Sequence, residues 1–149
     1  IVLMTAGNLA TTQAMISLLE ERSKTAEERD PSILRQSTMF QVARLVGETL
    51  NEVIVNSSPN GQGAADQFRA SVILGGQIGT GKPTIFLIYP EGNFIEITDD
   101  TPFFQIGETK YGKPILVRTY DRVYQAISNG WGDALKDAFL QLPSYTLKD

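Results

Sequence analysis

The 149-residue chain contains no cysteine and no histidine. The first absence removes disulfides, a thiolate nucleophile and any cysteine-ligated metal; its simplest meaning is a reducing compartment. The second removes a Ser-His-Asp triad and a histidine zinc site. Hydrolytic chemistry built from this chain is thereby confined to Thr, Ser, Lys, Asp, Glu or a backbone amine. Long apolar runs are missing too: none approaches the roughly 20 residues that span a bilayer. No basic-then-apolar leader opens the sequence, so cytoplasm is the default location. Basic residues are outnumbered, 13 against 17 acidic, for a net charge of -4. That balance argues against nucleic acid or an anionic membrane as the main partner and leaves peptides and proteins open.

What is present describes an ordinary globular domain. The hydrophobic fraction is 42% and the charged fraction 20%, and the length fits one domain over residues 1–149 rather than two. The chain opens Ile1-Val2-Leu3-Met4 without an initiator methionine, inside what reads as an apolar strand. The expectation is that further residues precede Ile1.

Ile1 to Thr5 has the β-branched and apolar content of a short buried strand. Ala6-Gly7-Asn8 turns it, and Asn8 or Thr11 can cap the helix that follows, which carries Leu9, Gln13, Ile16 and Leu19 or Glu20 along one line to about Ser23. A charged loop with Pro31 leads to a second helix from near Ser37. There Met39, Val42, Val46, Leu50 and Val53 recur at helical steps, up to the turn formers of Asn56 to Gly61. From Phe68 the period changes. Phe68 to Leu74, Thr84 to Tyr89, Phe94 to Thr98 and Phe103 to Gly107 read as strands joined by short turns, which favours an antiparallel meander. Ile115 to Arg118 fits a strand or the start of a helix, and Tyr124 to Leu142 marks an amphipathic tail helix with Asn129-Gly130 weakening it. Helices segregated from antiparallel strands mean α+β. Strands apolar on both faces, as in Ile85 to Ile88, fit a sheet held between another sheet and a helical layer.

Several motifs carry a chemical reading beside a plainer one. Gly76 to Lys82 has P-loop spacing, but Pro83 replaces the magnesium-binding hydroxyl and a strand follows where a helix is required. A glycine-rich hairpin explains it better. Asp99-Asp100, near Glu91 and Glu96, lacks a ligand-loop pattern and reads as a solvated turn. Asn56-Ser57-Ser58 matches a glycosylation sequon but, without an export signal, is a helix-ending polar run. Gly107 to Gly112 is either a connector or a turn offering amides near a reacting centre. Ala6-Gly7-Asn8 lies where a buried strand meets a helix N-terminus. Unpaired amides there can stabilise an oxyanion, although an ordinary strand–helix turn has the same residues.

Met4 to Ala10, Phe40 to Glu48, Ile73 to Ile78, Leu87 to Ile95 and Phe104 to Leu116 together resemble the bacterial proteasome-related family Anbu, the ancestral β subunit. The resemblance covers nearly the whole chain, and its specificity lies in the combination. It implies a four-layer αββα sandwich of the N-terminal-nucleophile hydrolase type, in which an N-terminal Thr attacks the scissile carbonyl with help from its own α-amine, tuned by an Asp and a Lys. It further implies that Gly7 supplies the oxyanion-hole amide, and that Thr5, Asn8, Leu9 and Gln13 border the substrate pocket. Residues 107–112 would back the nucleophile. No cofactor and no metal are implied; the partners are peptide or unfolded protein as substrate and further copies in a ring or open spiral, with no nucleic acid and no membrane. The family's first strands, with Thr, Asp and Lys, would precede Ile1. The match breaks near Tyr120-Asp121-Arg122, where the sequence is expected to run straight across a missing section. An inactive structural or binding subunit, and an amidase for small amides, are the other readings of the same fold.

Overall fold

Strand β1, Val2–Gly7, leads into helix α1, Leu9–Lys24, through the single residue Asn8. The computed structural model describes residues 1–24, 32–57, 66–101 and 103–128. These fall into two units, Ile1–Gly107 and the segment beginning at Glu108, which are described separately.

Asn8 is the cap of α1: its Oδ1 accepts the Thr11 N–H at 2.9 Å, satisfying one of the orphan donors of the first turn. Met15 and Leu19, four apart, bury the inner stripe of the helix. At its far end Lys24 donates to Glu21 at 3.1 Å, a bond that raises its pKa above the ordinary lysine value. Helix α2, Met39–Ser57, starts on a variant capping box. Thr38 Oγ1 accepts the Gln41 N–H at 3.2 Å, and Gln41 Oε1 reaches back to the Ser37 N–H at 3.1 Å. Met39, Val42, Val46, Leu50 and Val53, the periodic set expected from sequence, are all buried. Arg22 ties the two helices together, donating to Thr49 Oγ1 and to Glu52 Oε2, each at 2.7 Å.

The chain then builds strands β2, Ala70–Gly76, β3, Thr84–Ile88, and β4, Phe94–Glu96. With β1 they make one antiparallel sheet in the order β1-β2-β3-β4. Alternation sorts the side chains by face. Ala70, Val72 and Leu74 of β2 and Phe86 and Ile88 of β3 pack into the core under α1 and α2. The opposite face carries a cross-strand row, Met4, Ile73, Leu87 and Ile95, beside Val2 and Ile85, which flank Gly75. That second face is apolar yet open: Val2 is 64% exposed, Met4 59%, Ile95 42% and Ile85 41%.

The glycine-rich run that imitates a P-loop is the hairpin between β2 and β3, with Gly79 at φ +55° and the Gly81 N–H bonded to the Ile78 carbonyl at 2.9 Å. A close approach binds α2 to the β3–β4 turn: a Cβ on Gly47 would collide with the Gly92 carbonyl oxygen, and Gly92 itself has φ +86°.

Three expectations are corrected. The strand expected to be buried over Ile1 to Thr5 is largely exposed, because β1 is an edge of the described sheet. Phe103 to Gly107 is not a strand. Its apolar content suits a strand, but a strand also requires a ladder, and β4 ends at Glu96 before the chain doubles back at the Thr98–Thr101 bridge. Residues 109–112, read with Gly107 and Glu108 as either a connector or a turn offering amides, are the first turn of helix α3, Thr109–Ser128, which also settles Ile115 to Arg118 as helix. Pro114 lies inside it, so the N–H that would bond back to residue 110 is missing while the helix persists. The helix continues through Tyr120-Asp121-Arg122, and the rings of Tyr120 and Tyr124 stack with centroids 6.3 Å apart. The tail helix expected over Tyr124 to Leu142 lies outside the described residues beyond Ser128.

Candidate active site at the β1–α1 corner

Gly7 closes β1 in a conformation reserved for glycine, with φ +111°. A Cβ there would collide with the Arg69 carbonyl oxygen and lie 2.8 Å from the Ala70 Cα. The position therefore excludes every side chain on two independent grounds, backbone angle and space.

The ladder fixes where the Gly7 main chain faces. Asn8 N–H donates to the Arg69 carbonyl at 2.9 Å while the Arg69 N–H turns to the Asp66 carbonyl, so one bond continues the ladder past Gly7 with position 8 in the hydrogen-bonded phase. In an antiparallel ladder the pair types alternate. Gly7, opposite Ala70, and Thr5, opposite Val72, are then of the other kind, with main-chain groups turned away from β2 and toward the open edge of β1. Strand β1 is an edge in the described sheet, so the Gly7 amide is turned toward that edge.

Asn8 holds the corner from several directions. Its Nδ2 donates to the Gln67 carbonyl at 2.7 Å, and its own carbonyl accepts the Thr12 hydroxyl at 3.0 Å. The neighbouring Thr11 hydroxyl donates to the Phe68 carbonyl at 3.0 Å. Three consecutive carbonyls, of Gln67, Phe68 and Arg69, are thus bound by the start of α1. Arg69 is anchored at its far end by Glu91 at 2.7 Å.

The other residues expected at the site lie around this corner. Thr5 shares its face of β1 with Leu3, which packs against the core under the helices. Leu9 and Gln13 stand one turn apart on α1. All three are exposed, Leu9 by 68%. Asn8 differs, since its side chain is engaged within the protein. Gly107 lies beside Ala6: at φ +87°, a Cβ on it would sit 3.6 Å from the Ala6 Cβ. Thr11 and the Gln67–Arg69 segment were not among the expected residues. The spacing of Asn8 and Thr11 signals a cap, but nothing local links either to position 67.

Among the described residues no cluster of His, Cys, Asp or Glu could hold a metal ion, and no helix is long and apolar enough to cross a membrane.

A four-stranded antiparallel sheet with paired helices on one face and a glycine corner on its edge strand defines a mixed α/β protein with a built strand–helix turn. Solved structures carry the assignment further. Anbu (ancestral β-subunit) from Yersinia bercovieri is 32% identical, with 99% of this chain covering 81% of that one at a TM-score of 0.68. An Anbu Gly-1 mutant from Hyphomicrobium sp. strain MC1 is 46% identical over 78% of this chain, with a TM-score of 0.64. The Anbu complex from Pseudomonas aeruginosa, solved as a helical assembly, is 46% identical over 78% of this chain, with a TM-score of 0.66. The chain spans 45% and 46% of the length of the latter two. No protein-family model and no curated protein matches it. The chain belongs to the Anbu family of proteasome-like β subunits.

Proposed function

We propose that this chain is the substrate-receiving part of a threonine-type endopeptidase subunit, with the Gly7 amide as the oxyanion donor. The observation that carries the reading is Gly7 itself, a residue with no room for a side chain and an amide aimed at the open edge of β1. Glycine takes this conformation without strain, and its missing side chain leaves the main chain open to close approach.

In the proposed reaction an N-terminal Thr hydroxyl, from residues outside this chain, attacks the scissile carbonyl carbon. Its proton passes to the Thr α-amine as the C–O bond forms, and the carbonyl π pair moves to oxygen. The Gly7 N–H donates to that oxyanion. Collapse breaks the C–N bond, the amine leaves with the transferred proton, and water then hydrolyses the Thr ester. Thr5, Leu9 and Gln13 border the pocket for the residue before the cut, and a peptide or unfolded protein is the substrate.

The open apolar face of the sheet supports the four-layer αββα arrangement within one domain. A contiguous exposed face of Val2, Met4, Ile85 and Ile95 marks a surface that another element covers, and a second sheet is the cover that such a sandwich provides. Next to β1, an apolar cleft of about 330 Å³ between Leu3, Ile16, Leu19, Ile33 and Leu34 offers room for more chain at the same edge. The helical assembly of the Pseudomonas aeruginosa relative supports a homo-oligomer, and the cytoplasm is the location proposed for it.

The test is a fluorogenic peptide assay on the full-length protein and on a variant whose mature N-terminal Thr is replaced by Ala. Turnover that disappears in the variant supports the reading. Turnover that survives overturns the proposed nucleophile, and hydrolysis confined to small amides makes the protein an amidase. No turnover in either leaves a structural subunit.

A further inference from the structure

We infer that Asn8 is a positioning residue for the Gly7 amide rather than a wall of the substrate pocket; the inference rests on the peptidase reading above. Both functional ends of the Asn8 side chain are committed to partners within the chain. Oδ1 accepts from the Thr11 N–H and Nδ2 donates to the Gln67 carbonyl, at 2.9 and 2.7 Å. The two bonds also agree on which atom is oxygen and which is nitrogen, since each end meets a partner of the opposite kind.

A helix cap needs only the first of these bonds, and Asp caps as well as Asn. The second bond has a different purpose. It reaches 59 positions along the chain to the segment that presses on Gly7. The Arg69 carbonyl and the Ala70 Cα are the atoms a Gly7 Cβ would strike. Whatever locates residues 67–69 therefore locates Gly7. Thr11 adds a second tie, its hydroxyl donating to the Phe68 carbonyl at 3.0 Å. The Asn8 N–H adds the third, to the Arg69 carbonyl at 2.9 Å. An oxyanion donor must lie within about 2.7–3.1 Å of the developing charge, and a misplacement of about 1 Å costs on the order of a hundredfold in rate. A corner fastened at three successive carbonyls supplies that precision.

Asn8→Asp in the full-length protein separates the roles. It keeps the cap but sets a carboxylate oxygen against the Gln67 carbonyl where a donor stood. The expected result is a fall in kcat of about tenfold to a hundredfold, with KM and the preference for the residue before the cut changed by less than about threefold. Thr11→Val, which leaves the cap intact, is expected to lower kcat in the same way, and Thr11→Ser to restore it. Amide exchange over residues 66–72 is expected to quicken in Asn8→Asp and in Thr11→Val. A wild-type kcat in Asn8→Asp would overturn the inference and leave Asn8 as a cap only. A shifted KM or preference with kcat unchanged would overturn it in favour of a pocket wall. Absence of turnover in the wild type is a different result, since it sinks the peptidase reading on which the inference stands.

Discussion

The Asn8 side-chain amide donates to the Gln67 carbonyl at 2.7 Å, joining the first residue of a helix cap to a segment 59 positions away. Beside that bond sits Gly7, held at φ +111° against the Arg69–Ala70 backbone. Everything proposed about catalysis depends on this corner, and several consequences are measurable.

Gly7→Ala adds a methyl that has no space and a backbone angle that alanine avoids. The angle alone costs about 1–3 kcal/mol, and the collision with Arg69 adds to it. Chemical denaturation is expected to show that loss. Any folded fraction is expected to lose at least about a hundredfold in kcat, the usual scale for a lost oxyanion donor.

Leu9 is open to solvent, and removing it opens no cavity. Leu9→Ala is expected to change stability by no more than about 0.5 kcal/mol. If Leu9 borders the pocket, discrimination among residues before the cut shifts by about 1–3 kcal/mol, roughly ten- to two-hundredfold. A panel of fluorogenic peptides differing only at that residue measures it.

How much of this was legible in the sequence follows from the range of each signal. The stripe of Met39, Val42, Val46, Leu50 and Val53 is a local repeat, and all five residues are in the core. The β2–β3 hairpin was equally plain from its apolar runs and glycines. Phe103 to Gly107 misled because strand propensity is local whereas a ladder needs a partner, and residues 103–107 have no place in the described sheet. Gly112 and Pro114 disguised the start of α3, since both weaken a helix without forbidding it. At the site, Ala6-Gly7-Asn8 announced a turn. The Gln67–Arg69 segment that shapes it was invisible, because no sequence pattern encodes a contact with a carbonyl 59 residues away.

Gly47→Ala sets two known effects against each other. Helix propensity favours alanine by about 1 kcal/mol, so a solvent-facing glycine would gain stability from the change. Gly47 instead abuts the Gly92 carbonyl, which a Cβ would strike. The expected outcome is a net loss of about 1–3 kcal/mol, the scale of overpacking, read as a lowered denaturation midpoint. A gain would show that the β3–β4 turn moves aside freely.

Ile95→Lys tests the open sheet face. If that face is covered by a second sheet in the full-length protein, an unpaired charge is buried and the loss is expected to exceed about 3 kcal/mol. An uncovered face would tolerate lysine within about 0.5 kcal/mol. Urea denaturation of the full-length protein distinguishes the two.

A structure of the full-length protein trapped with a peptide aldehyde tests the role of the Gly7 amide. The expected adduct is a hemiacetal on the N-terminal Thr whose oxygen lies within about 2.7–3.1 Å of the Gly7 nitrogen, with the preceding side chain between Thr5, Leu9 and Gln13. An adduct on another residue, or an oxygen beyond hydrogen-bond reach of Gly7, would contradict it.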